Sequence, residues 1–282
     1  MIVKAVSLVH GVRKLHGGTQ PILAHADDGA FYVVKFQGSD PEQHALFNEA
    51  AGTILYRTIG LPVPDWRPIY VTQRFLERNP IVDHETPTGR WTPGSGFAFA
   101  SRLVIGHHGR CQDLLPSRSI SRLRRSEMFW LAWLVDVCAF HSDNRQAVFT
   151  EAADGKIDTT FIDHGRMFGG LTGFDMPKEM ASRYLDARFY PEFTPAIIKR
   201  IEHFLLQFNP QSCLDQITTV PNTWVTPEGL CNLNTTLSRL SERKVWENIL
   251  DTIVASHMQH RPRHEHESIQ SGPQPDFGVL YS

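Results

Sequence analysis

Two acidic residues, each closing an apolar segment, put the tightest limit on how this chain can fold. Asp143 follows the apolar run from Phe129 to Phe140, and Asp163 ends the short strand-like run Thr160-Phe161-Ile162, just before His164-Gly165. A buried element finished by a charge must open at that end onto solvent, so its acid sits on a rigid mount beside a cleft. The polar spacer between them (TEAADGKIDT) reads as a hairpin connection. Twenty residues therefore separate two carboxylates that can share one site. One such aspartate alone is more often a surface or capping residue. The pair suits a site with two roles, one acid to orient a hydroxyl and one to hold a metal.

Upstream, β-branched and aromatic runs predict strands over Ile2–Val9, Gln20–Ala26, Phe31–Phe36, Arg67–Phe75 and Gly96–Val104. Asp27-Asp28-Gly29 marks a tight turn between the second and third. His16-Gly17-Gly18-Thr19 forms the first turn, and its paired glycines could let backbone N–H groups close over a phosphate. Lys35 lies within FYVVKF, where an apolar setting sends its ammonium either into a cleft or out to the surface. Helical spacing of Ala45, Leu46, Ala50, Ile54 and Leu55 predicts a helix over Glu42–Ile59, with Glu49 on or beside its buried stripe. A buried glutamate needs a partner, and Lys35 is the nearest upstream candidate. Residues 77–96, rich in Pro, Gly and Thr, read as an irregular insertion or mobile loop.

Beyond residue 110 the pattern turns helical, with a core helix expected over Ser119–Phe140 and helices or helical turns over Pro177–Tyr190, Pro195–Phe208, Gln211–Ile217, Pro227–Leu240 and Arg243–His257. The expected fold is α+β and two-lobed: a small β-rich lobe with one long helix over residues 1–106, a larger mainly helical lobe over 107–260, and a flexible tail over 261–282. Adjacent His107 and His108 point in different directions and read as a linker pair. The HEHE run at 264–267 lies in a polar tail and reads as solvated.

Lysine and arginine (28) nearly balance aspartate and glutamate (30), and the basic cluster Arg122 to Arg125 reads as the exposed face of a helix start, so nucleic acid is not an expected partner. Cys111, Cys138, Cys213 and Cys231 are widely spaced without a CxxC pair, which points to free thiols in a reducing compartment. The start of the chain lacks the apolar core of a signal peptide, and no apolar run approaches membrane-spanning length. A cytoplasmic location is expected.

A strand lysine, a helix glutamate, an acid after a core helix and an Asp-x-Gly after a short strand resemble, in that order, the set used by protein-kinase-like enzymes. The wording of FYVVKFQG, FNEAAGTILYRTIGLPVP, the Phe97–Arg102 segment, DNRQAVF and FIDHGRMFGG is similar to the HipA-like kinase family over most of the chain. The resemblance implies an ATP- and Mg²⁺-dependent phosphotransferase, acting on a Ser/Thr hydroxyl of a protein or of itself. Lys35 would bind phosphates, with Gly17 and Gly18 closing over them. Glu49 would anchor Lys35, Asp143 would be the catalytic acid/base, and Asp163 would coordinate Mg²⁺.

One position departs from the wider kinase pattern: the asparagine expected five residues after the catalytic acid is Val148. Gln146 or Asn144 would supply the amide ligand instead. His141 stands where related sequences carry a polar residue, and its role is open. Two alternatives follow: a catalytically impaired nucleotide-binding pseudokinase or scaffold, and a metal-dependent hydrolase using His141, Asp143, Asp163 and His164.

Overall fold

The computed structural model describes residues 6–16, 19–37, 44–86, 89–170 and 182–260. Within them an antiparallel sheet precedes a mainly helical region, giving the α+β division expected. Strands β1 (Leu8–Lys14), β2 (Ile22–Ala26), β3 (Phe31–Lys35), β4 (Trp66–Val71) and β7 (Gly96–Arg102) form one five-stranded sheet in the order β1-β2-β3-β7-β4. Every pairing in it is antiparallel. The β2–β3 turn forms as its sequence predicts. Gly29 takes φ +79, and the Asp28 side chain accepts from the Ala30 N–H at 3.0 Å.

Helix α1 (Ala45–Ile59) is buried nearly all round rather than along one stripe, because it lies between the sheet and the helices that follow. It ends at Gly60, whose left-handed backbone (φ 93) returns its N–H to Arg57 and Tyr56. Mid-helix Gly52 is a packing requirement: a Cβ there would lie 2.5 Å from the Cβ of His164 and 2.7 Å from the Met167 sulfur.

The second half is built on α3 (Met128–Cys138), in which Phe129, Trp130, Leu131, Trp133 and Leu134 are all buried. Helices α6 (Pro227–Ser241) and α7 (Arg243–His260) pack against it, while α4 (Pro195–Gln207) and α5 (Pro210–Ile217) pack against α1, all within one core. Three of these start on a proline, where the missing N–H costs nothing. Asn209 and Thr226 cap α5 and α6 with side-chain acceptors. The polar spacer is the turn of a hairpin, β8 (Gln146–Glu151) with β9 (Ile157–Ile162).

Several boundaries differ from the sequence expectation. Of the strand expected over Ile2–Val9, residues 2–5 lie outside the described residues, Val6 and Ser7 are not in a strand, and the pairing with β2 is made by residues 8–14. The helix expected from Ser119 begins only at Met128. Leu123 bridges to Ile157, the Arg124 N–H bonds the Ile157 carbonyl, and Arg125 has φ +55, so β9 draws this backbone out of helical geometry. Arg122 and Arg124 consequently face the hairpin acids Glu151, Asp154 and Asp158 instead of a helix surface. Of the helix or helical turn expected over Pro177–Tyr190, residues 182–190 hold a short 3₁₀ turn at Ala187–Phe189, and 171–181 lie outside the described residues.

Residues 77–96 are also more ordered than their composition suggests. Helix α2 (Gln73–Arg78), a 3₁₀ turn (Pro80–Val82) and a small hairpin, β5 (His84–Thr86) with β6 (Gly89–Trp91), fill this insertion. The expected tail lies outside the described residues. No helix among those described is long and apolar enough to cross a membrane, and all four cysteines are free.

The close approach at Gly52 gives a test in which two effects have opposite signs. Helix propensity favours Ala over Gly by about 1 kcal/mol. Overpacking against His164 costs about 1–3 kcal/mol, so Gly52→Ala should lower stability in denaturant unfolding.

Candidate active site

Lys35, at the end of β3, points inward, and its ammonium is paired from two directions. It donates to Glu49 Oε1 on α1, and to Asp163 Oδ1 just after β9 at 2.8 Å. Glu49 is buried and uses its second oxygen to accept the His164 N–H at 3.2 Å. A Cβ on Gly165 would come within 2.8 Å of Glu49 Oε1, so the glycine of the Asp-His-Gly run is what lets the helix carboxylate approach. Asn48, one residue before Glu49, donates to the carbonyls of Gly165 and Gly170 at 3.0 and 2.9 Å. Two adjacent α1 side chains thus fasten the segment after Asp163.

Asp163 keeps its carboxylate partly exposed while its backbone is left-handed, with φ +63. Such a conformation in a non-glycine residue costs about 1–3 kcal/mol and persists only where surroundings over-determine it. Arg145 is the main such constraint: its guanidinium donates to the carbonyls of Ile162 (2.8 Å) and Asp163 (3.2 Å) and lies 3.3 Å from His164 Nδ1. Its other nitrogens form a two-pronged pair with Asp136 of α3, at 2.8 and 2.6 Å. The Tyr56 hydroxyl donates to the same Asp136 at 2.6 Å, and the Tyr56 ring carries the guanidinium on its face at 4.9 Å.

This buried Asp136–Arg145–Tyr56 cluster ties α1, α3 and the Asp163 turn together, and the sequence reading missed it. Two signals were available, an acid inside an otherwise apolar helix and an arginine two residues after Asp143.

The charges respond to burial and to one another. Burial works to lower the Lys35 pKa, but the Asp163 and Glu49 carboxylates outweigh it and raise it. Burial likewise works to raise Asp163, and the Lys35 ammonium overcomes this and holds it well below the usual carboxylate range. Glu49 is pushed up by its burial, against the pull of Lys35. His141 and His164 are driven well below their ordinary value, first by burial and then by the Arg145 charge. Both imidazoles are therefore neutral at pH 7.

The other predicted residues fall into place unequally. Gln146, the first residue of β8, donates its amide to Asp163 Oδ2 at 2.6 Å. Asp143 lies in the loop before β8; it accepts from the Asn144 N–H at 2.7 Å and sits 3.9 Å from Arg166 Nε. The Ser142 N–H bonds the Arg166 carbonyl at 3.0 Å, which ties this loop to the segment after Asp163. Val148 is buried within β8, opposite Thr160. Gly17 and Gly18 lie outside the described residues. No group of three His, Cys, Asp or Glu side chains able to hold a metal occurs among the described residues, so the His141–Asp143–Asp163–His164 set of the hydrolase reading does not assemble as one.

Residues 9–119 match the family model described as HipA-like kinase. No curated protein matches the chain. Among solved structures, the fold is similar to that of CtkA, a proinflammatory kinase of Helicobacter pylori: 12% identity, TM-score 0.54, covering 88% of this chain and 95% of that one. It is also similar to the Golgi casein kinase with Mn/ADP bound: 12% identity, TM-score 0.53, covering 90% of this chain and 75% of that one. A second structure of the Golgi casein kinase gives 14% identity and TM-score 0.53, covering 92% of this chain and 74% of that one. At such identities these likenesses establish the fold. The chain has a kinase fold, and its first part carries the HipA-like signature.

Two measurements test the charge cluster. Arg145→Met leaves Asp136 buried without its counter-charge, which should cost about 3–5 kcal/mol in denaturant unfolding, whereas Tyr56→Phe removes one hydrogen bond to that carboxylate and should cost about 1.5–3 kcal/mol. The second concerns pH. The unfolded chain protonates its histidines near about pH 6.5 while folded His141 and His164 resist protonation. Their contribution is thus present above that pH and lost as pH falls below it, so Tm should decline from pH 6.5 to 5, less steeply in His141→Asn.

Proposed function

We propose that this chain, HipA-like over residues 9–119 and kinase-folded over most of its length, is an ATP- and Mg²⁺-dependent phosphotransferase. Its acceptor would be a serine or threonine hydroxyl, on a protein or on itself. The observation that carries this reading is the buried Lys35 held between Glu49 and Asp163. Phosphoryl transfer requires fixed positive charge against the phosphates and a correctly placed metal carboxylate, with little covalent chemistry from the protein.

In this reading Lys35 binds ATP phosphates and Glu49 holds it in place. Gly17 and Gly18 close over the phosphates from the β1–β2 turn. Asp143 accepts or orients the acceptor hydroxyl. Residues 1–106 make up the nucleotide-binding part and 107–260 the catalytic part, in a cytoplasmic protein.

The residues present suit Mg²⁺, a hard cation that takes oxygen donors and uses few protein carboxylates beside substrate phosphates. Asp163 offers an ionised carboxylate. The Gln146 amide already touches it, and a half-turn of that amide would present Oε1 to a cation held there. Bound Mg²⁺ would neutralise charge on the β- and γ-phosphates.

A second reading, an impaired nucleotide-binding protein, is favoured by Val148, whose burial in β8 removes the usual amide position from the site. Transfer of radiolabelled γ-phosphate to the protein itself or to a cell extract, lost in Asp143→Ala, separates the two. Absence of any transfer alongside intact nucleotide binding would favour the impaired form.

Mg-ATP at about 100-fold its Kd should raise Tm by about 5 °C or more. Lys35→Ala and Asp163→Ala should each abolish that shift, whatever they do to the baseline Tm, and Asp143→Ala should keep it. An unchanged wild-type melting curve at millimolar Mg-ATP would overturn the kinase reading.

A further inference from the structure

Arg166 is a cation set against the proposed catalytic acid, and the fold makes little use of its charge. Its Nε stands 3.9 Å from Asp143 Oδ2, too far for a hydrogen bond, and both side chains are 46% exposed. Among the described residues its guanidinium donates no hydrogen bond. An exposed pair at this separation adds little to stability. The backbone beneath it, by contrast, is fixed. The Arg166 carbonyl accepts from the Ser142 N–H at 3.0 Å and from the Ser142 hydroxyl at 3.4 Å, and the preceding carbonyl, of Gly165, accepts from Asn48 at 3.0 Å. The mount is rigid and the charged head is free.

The two oxygens of Asp143 differ. Oδ1 accepts the Asn144 N–H at 2.7 Å, which leaves Oδ2 for a ligand. In the kinase reading the acceptor oxygen bonds the γ-phosphorus, ADP departs with the bridging oxygen, and Asp143 takes the hydroxyl proton. Arg166 turns Nε toward Oδ2, so its two terminal nitrogens stand further out with their donors unused. The phosphate side of the site is supplied separately: Asp163 is held by Lys35 and Gln146, and Arg166 bonds none of the three. A planar fork of free N–H groups matches a carboxylate, which it can take through two parallel hydrogen bonds. One residue of extended chain spans about 3.3–3.6 Å. The guanidinium begins 3.9 Å from the oxygen that meets the hydroxyl, so its partner belongs on a residue close to the acceptor.

We propose that Arg166 is a specificity-determining residue for the acceptor, and that the acceptor is an acidic peptide segment, with a carboxylate within about two residues of its hydroxyl. The proposal rests on the kinase reading. A neutral segment would leave the guanidinium as it stands, whereas an acidic one completes its hydrogen bonds beside the reacting hydroxyl. Because the side chain is half exposed and unbonded, replacing it should change the choice of acceptor without unfolding the protein.

The test gives the full chain Mg-ATP and serine peptides that differ only in the residues flanking the serine, which are Glu, Gln or Lys. Wild type should use the Glu peptide with a kcat/KM on the order of 10-fold above that for the Gln peptide, and the difference should lie mainly in KM. Arg166→Gln should bring that ratio close to one, and Arg166→Glu should favour the Lys peptide. Both variants should keep Tm within about 2 °C of wild type. Equal use of the Glu and Gln peptides by wild type, or a preference that survives in Arg166→Gln, would overturn this inference and leave the kinase reading standing. So would weaker Mg-ATP binding in Arg166→Gln with the peptide ratio unaltered, or transfer to the protein itself with none to any peptide. A wild-type protein that binds no Mg-ATP, or binds it and transfers to nothing, would overturn both.

Discussion

An ammonium group taken out of water must find compensating charge, and Lys35 finds it in carboxylates from two distant parts of the chain. Much of the architecture follows from that requirement. Glu49 reaches Lys35 only if α1 lies deep between the sheet and the helical region, which is why that helix is buried nearly all round. At that depth α1 presses on the segment after Asp163. The contact is possible only where side chains are missing, at Gly52 on the helix and at Gly165 on the segment. Two glycines that look unrelated in sequence are consequences of one ion cluster.

A second buried charge pair stands behind the first and has a different task. Arg145 touches Lys35 nowhere; it grips the carbonyls of Ile162 and Asp163 and holds the backbone between them in a left-handed turn. That turn sends the Asp163 carboxylate toward Lys35 and Gln146. Replacing a buried ion pair by apolar residues is often neutral or even stabilising. A pair such as Asp136–Arg145 is therefore better understood by what it positions than by net stability. The arrangement is layered: the inner pair sets the backbone, and the backbone sets the outer cluster.

The sequence made some of this legible and left the rest hidden. Strand periodicity placed Lys35 in β3, helical spacing put Glu49 near a buried face, and the apolar runs before Asp143 and Asp163 marked two rigid mounts. Those signals are local, so a single chain displays them. The Asp136–Arg145–Tyr56 cluster is not local, since its members come from α1, α3 and the loop before β8, and its tyrosine precedes its aspartate by 80 residues. The break before α3 was hidden for a similar reason: its cause is pairing of residues 123 and 124 with β9, which overrides a helical pattern that is intact on its own. The insertion at 77–96 misled through composition. Its prolines and glycines mark turns between short elements, and the contacts that order those elements lie on β1 and in the turn after it.

The departure at Val148 has a geometric answer in the register of the β8–β9 hairpin. Gln146 pairs opposite Ile162 and so stands beside Asp163, whereas Val148 pairs opposite Thr160. At a strand rise of about 3.3 Å per residue, a side chain at 148 starts about 7 Å further from Asp163 than one at 146, on the same side of the strand. An asparagine at 148 would be too short to cover that distance. The loop between Asp143 and β8 holds only Asn144 and Arg145, and Arg145 is turned inward toward Asp136. With so short a loop, the place beside Asp163 falls to the first residue of the strand. A long amide there, mounted on a paired strand, is held more rigidly than a loop residue would be. In the proposed reading, the amide that serves the metal therefore stands two positions earlier in the chain, at Gln146.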